Sequence, residues 1–209
     1  MARDDWFRNK SWNTRIEEEF FEKLARARSQ RDQYLAIQAI TVAPRNPEAA
    51  LRLVDHYFET RKNDRHDVQA LLAKVDALKT LGDMGGVVAT YKAILAREAE
   101  FPSRRTTAYV AFPYFVATKK IEKEYEYAVT VLDERKDDIA FPLDRFMWHA
   151  SYALISSASG HEANAKDHAL EALAAAEAKE SGFRYHQNLG LVGKVHRPVV
   201  KDLIHLASD

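Results

Sequence analysis

Eight histidines are the first place to look for chemistry in this chain of 209 residues. A bound zinc needs three or four donors converging on one point. His161, Glu162 and His168 come nearest to such a cluster. On a helix, positions 161 and 168 lie two turns apart, so their rings share a face but stand roughly 10 Å from each other. No His-Glu-x-x-His spacing occurs, and cysteine is absent, which also excludes disulfides and thiolate catalysis. The expectation is no metal and no cofactor. Acid-base and nucleophilic chemistry find no better footing. Glu17-Glu18-Glu19 and Asp137-Asp138 fit solvated helix faces or ends. There is no Gly-x-Ser-x-Gly elbow, and Met84-Gly85-Gly86 lacks the lysine of a phosphate-binding loop. The chain reads as a non-enzyme.

Binding chemistry is better represented. Arg145, Trp148, His149 and Tyr152 follow i, i+3, i+4, i+7 spacing, so a helix carries all four on one face. That face is either the wall of a polar-aromatic groove or buried packing around a satisfied histidine. Arg105, Tyr109 and Phe112 repeat the pattern on an earlier segment. Side by side, the two faces would make a basic, aromatic groove. Arginine presents a planar, two-pronged donor, so the partner expected is a protein or peptide with an acidic segment or a free carboxylate. A second set, Arg184, Tyr185, His186 and Asn188, lies in the tail. It serves either ordinary capping or an anion. With Trp148 and His149, Arg184 and His186 would form the pocket of a small-molecule sensor or an enzyme between the last helix pair and the tail. Arg26, Arg28 and Arg31 sit among Glu19, Glu22 and Asp32 and read as a solvated face.

Charge narrows the partners. Lys and Arg total 31 against 31 Asp and Glu, which removes bulk attraction to nucleic acid or an anionic membrane. No apolar run approaches the ~20 residues of a membrane span. The amino terminus, Met1 to Trp6, is charged and shows no signal peptide. The expectation is a soluble cytoplasmic protein.

The elements that must position these residues are helical. Seven glycines and six prolines leave little turn chemistry for a many-stranded sheet. Asn13 or Thr14 caps a helix running to about Gln30. A second follows to Val42 with Tyr34, Ile37 and Ile40 inward. A third begins at Pro47, with Asn46 as cap, and buries Leu51, Val54 and Phe58. Leu71, Val75 and Leu78 face Val87, Tyr91 and Ile94 across a turn at Gly82-Asp83. Helices are then expected over 104–118, 121–136, 143–157 and 161–179, with Pro113 kinking or restarting the first. The punctuation recurs about every forty residues, at Phe101-Pro102, Phe141-Pro142 and Gly182-Phe183, which is the range of helical-hairpin repeats.

Leu71, Val75, Leu78, Gly82, Val87 and Tyr91 resemble a degenerate tetratricopeptide repeat, as do Ala153, Gly160, Ala165 and Ala172. The resemblance covers about 65–180. It departs from the family pattern at Ile94, where alanine is usual, and in a period longer than 34 residues. It implies an all-α, right-handed superhelix of about four antiparallel helix pairs, an α-α solenoid, that binds peptides or proteins as a scaffold or adaptor. The organisation expected is an aromatic cap over 1–12 (Trp6, Phe7, Trp12), hairpin repeats over 13–182, and a C-terminal cap over 183–209 with a short helix opened by Pro198.

Overall fold

A computed structural model describes residues 5–208; the first four residues of the expected aromatic cap, and Asp209, lie outside the described residues. Ten α-helices and no strands are present among the described residues. The chain divides into two compact units, 1–105 and 106–209, a boundary inside the span that reads as one run of hairpins.

The first unit holds α1 (Thr14–Arg26), α2 (Arg31–Val42), α3 (Pro47–Thr60), α4 (Asp67–Leu81) and α5 (Met84–Glu100). Asn13 caps α1 by accepting from the Ile16 amide at 3.0 Å. Asn46 gives α3 no side-chain cap; the fixed backbone of Pro47 at its first position starts the helix instead. Gly82 ends α4 at φ +77°, the left-handed conformation a side chain resists, and the Asp83 amide then bonds the Leu78 carbonyl. Asp83 in turn caps α5 through the Gly86 amide at 2.8 Å.

Helix α2 turns a different face inward from the one expected. Leu35, Ala36, Ala39 and Val42 are buried, whereas Ile40 is exposed. Its apolar residues surround the axis, and contact with both α3 and α4 selects the side carrying small residues. Gln38 is also fully buried, and its amide is used at both ends. It accepts from the Asn9 amide at 2.9 Å and donates to the Asn9 carbonyl at 2.8 Å. This holds residues 5–12 against the first helices. Trp6 packs edge-on to Tyr34 and Phe7 stacks on it at 4.4 Å.

The second unit holds α6 (Ala108–Thr118), α7 (Tyr125–Glu134), α8 (Pro142–Ala158), α9 (Glu162–Ala176) and α10 (Arg197–Ser208). Helix α6 is continuous through Pro113, which costs one backbone hydrogen bond but does not restart the helix. Helices α8 and α9 pack through Ala150 and Ala153 against Ala165, Ala169 and Ala172, all buried, so the two axes approach closely. Helix α10 lies on α8 and α9 with Leu203 buried in their core. The Tyr114 hydroxyl meets Nδ1 of His196 at 2.8 Å and fixes the entry to α10.

Candidate functional site

Helix α8 carries Arg145, Trp148, His149 and Tyr152 on successive turns, as their spacing requires. Because α9 packs along α8, His168 arrives opposite His149. The two Nδ1 atoms stand 2.9 Å apart in a hydrogen bond. Such a bond needs one proton between the facing nitrogens, so one ring donates and the other accepts. The Tyr152 ring stacks on His168 at 4.7 Å and 16°, and Trp148 lies 4.5 Å from Tyr152. Two polar anchors come from the end of α7. The Trp148 indole donates to the Leu132 carbonyl at 3.2 Å, and the Tyr152 hydroxyl donates to Asp133.

These rings are half-buried and held on several sides. Burial lowers the His149 pKa to about 4, with His168 and Arg145 adding to the drop and Glu171 opposing it. Burial also lowers His168, against the pull of Asp167 and Glu171. The imidazoles therefore stay neutral at physiological pH. Among the described residues no group of three or more metal-ligating side chains converges here or elsewhere.

One turn nearer the start of α8, the same face opens into a cleft of about 380 Å³. Arg145, Glu171, Ala174, Ala175 and Ala178 line it. Arg145 is exposed and has no ion-pair or hydrogen-bond partner among the described residues. Ser181 and Gly182, at the start of a closed loop, also line the cleft. Ser181 is buried; its amide bonds the Gln187 carbonyl at 2.7 Å and its hydroxyl the His186 carbonyl at 2.7 Å. Phe183 stacks on Phe141 at 5.1 Å, and the Leu143 amide donates to the Gly190 carbonyl at 2.8 Å.

Gly190 is required where it is. Its φ is +70°, and a Cβ there would fall 2.6 Å from the Phe141 side chain. Gly190→Ala will cost about 1–2 kcal/mol in backbone conformation alone and push Phe141 off the loop. Limited proteolysis checks this: cleavage within 181–190 rises in the variant, and an unchanged cleavage rate would show that the loop is held by other contacts.

The remaining residues singled out by spacing are placed as follows. Tyr109 and Phe112 are buried in the second unit, so they line no groove. The Tyr109 hydroxyl donates to the Asp138 carbonyl, and the Arg135 guanidinium covers its ring. Arg105 is exposed at the end of the first unit. Arg184, Tyr185, His186 and Asn188 are exposed on the 181–190 loop and do not line the cleft; Tyr185 is 82% exposed. Trp148, His149 and Tyr152 are brought together, and His168 is the member that spacing along one helix did not reveal.

No protein family, curated protein or solved structure matches the chain. The site's own geometry therefore carries the functional argument.

Proposed function

We propose that this protein is a non-catalytic helical-hairpin scaffold, similar to tetratricopeptide-repeat proteins, that binds a protein or peptide segment along the α8–α9 face. The finer arrangement we propose is an α-α solenoid of stacked helix pairs, working in the cytoplasm. The observation that carries the reading is Arg145: an arginine without an ion-pair or hydrogen-bond partner among the described residues, lining an open cleft beside a rigid aromatic face. Unused guanidinium donors next to fixed rings are the ingredients of a binding hot spot. A carboxylate on the bound segment would meet Arg145 while Trp148 and Tyr152 offer apolar area.

The test is a peptide array probed with the wild-type chain and with Arg145→Glu. Wild type retains a defined set of peptides, and the variant loses at least tenfold in affinity for them. Its melting temperature stays within a degree or two, because exposed substitutions change stability by about 0.5 kcal/mol or less. No retained peptide, or equal retention by the variant, removes this reading.

The position of the cleft favours one second reading, a small-molecule site between the last hairpin and the tail. Its lining differs from the set expected, with Phe141, Arg145 and Glu171 in place of Trp148, His149, Arg184 and His186. A saturable thermal shift with a metabolite, abolished by Arg145→Glu, separates it from the scaffold reading.

A further inference from the structure

We infer that the cleft at the start of α8 takes a ligand end carrying both a carboxylate and an ammonium group, on a body the size of an amino acid or dipeptide; this rests on the binding reading above. Arg145 lines the cleft together with two acids, Glu171 and Glu180. None of the three has an ion-pair or hydrogen-bond partner among the described residues, so Arg145 and Glu171 do not neutralise each other across the opening. Unpaired charges of opposite sign on one small cleft define what fits. A wholly acidic segment would satisfy Arg145 and set its other carboxylates against Glu171 and Glu180. A wholly basic one would do the reverse, and like-charge juxtaposition is strongly unfavourable.

Size agrees with this chemistry. A volume of about 380 Å³ lies at the small end for ligand sites. The alanines of the lining leave room for a backbone or a small side chain, and Phe141 adds apolar surface. The frame is formed before any ligand arrives. Ser181 and Gly190 tie the loop to itself and to α8, and the Phe141–Phe183 stack closes it. A preformed frame spares the ordering cost of binding. The two charges can come from a free short peptide or from a protein C-terminus with a neighbouring lysine; the recognition chemistry is the same.

Amide spectra of the ¹⁵N-labelled full chain, titrated with four probes, test the inference. The probes are alanyl-alanine, its N-acetyl form, its C-terminal amide and N-acetyl-lysyl-alanine. Alanyl-alanine shifts resonances in 139–145 and 171–182 saturably, and each singly blocked form binds at least tenfold more weakly. Glu171→Gln weakens alanyl-alanine and leaves the fold's spectrum intact. If N-acetyl-lysyl-alanine binds as well as the free dipeptide, the ligand is a basic chain end; if it does not, the ligand is a free short peptide. Either result supports the two-charge site. Equal binding of the blocked forms, or shifts scattered away from these residues, overturns it. Should array peptides still depend on Arg145 in that event, the scaffold reading stands and only this inference falls. Should the array be silent while alanyl-alanine binds, the converse holds.

Discussion

Replacing Asp67 with alanine will remove about 3 kcal/mol of stability from the first unit. Asp67 opens α4 and is 1% exposed. Its carboxylate accepts from the buried Tyr57 hydroxyl at 2.9 Å and pairs with Arg97 at 2.8 Å and Arg61 at 3.2 Å. Burial and the Asp67 carboxylate push the Tyr57 phenol well above its ordinary pKa, so it remains a donor. Removing the carboxylate strands one buried hydroxyl and takes an ion-pair partner from two guanidinium groups, of which Arg97 keeps Glu100 at 2.7 Å. Breaking a buried ion pair from one side costs about 3–5 kcal/mol. The arginines keep partial access to water, at 26% and 31% exposure, which sets the expectation at the lower end. Tyr57→Phe loses one hydrogen bond and leaves the ion pairs, so its cost is about 1 kcal/mol. Urea denaturation of the two variants measures both. An Asp67→Ala loss below 1 kcal/mol would mean that water replaces the carboxylate freely and that the network orders the α3–α4 turn without stabilising it.

The contrast between this network and the α8 face shows what the sequence disclosed. Helix positions were legible because buried stripes are made of local residues at local spacing, as with Val87, Tyr91 and Ile94 on α5; on α3 the buried face is Leu53, Val54 and Tyr57, while Leu51 and Phe58, expected inside with Val54, are only half-buried against it. Helix ends were legible where chemistry marks them, as at Asn13, Gly82 and Asp83. Faces were not legible on α2 and α6, where apolar residues surround the axis. Ile40 was expected inside and is exposed; Tyr109 and Phe112 were placed on a groove and are core. On such helices the neighbours, not the period, decide which side is buried.

The same limit governs the polar clusters. Arg145, Trp148, His149 and Tyr152 could be grouped because one helix sets their geometry. His168, nineteen residues beyond His149, joins them only through the register of α8 on α9. Asp67 and Arg97 are thirty residues apart, and nothing local marks either as a partner of the other. Ala150 and Ala153 on α8 and Ala165, Ala169 and Ala172 on α9 set that register. Their small side chains bring the axes close enough for two imidazoles to touch.

That closeness makes the second unit sensitive to acid, and the sign follows from where the protons go. In the unfolded chain both histidines titrate near 6.5; in the folded protein His149 titrates at about 4 and His168 also below its ordinary value. Between those limits the unfolded state binds more protons, so stability falls as the pH drops from 6.5 toward 4 and is fully present above 6.5. Charged groups act on the pair from both helices. Arg145 on α8 disfavours protonation, Asp167 and Glu171 on α9 favour it, and Asp133 at the end of α7 is engaged by Tyr152. The acidic neighbours leave the net shift downward. For a half-buried ring the expected loss is about 2 kcal/mol over this window. Elsewhere in the unit, His196, lowered by burial, acts in the same sense, and Asp144, raised by burial, acts in the opposite one. The useful quantity is therefore a difference between chains. Urea denaturation of wild type and of the His149→Asn, His168→Asn double variant at pH 7.5 and pH 4.5 isolates the pair. Wild type loses about 2 kcal/mol more than the variant between the two pH values. Parallel losses would mean that the two rings separate on protonation at little cost and that the α8–α9 alanine packing holds without them.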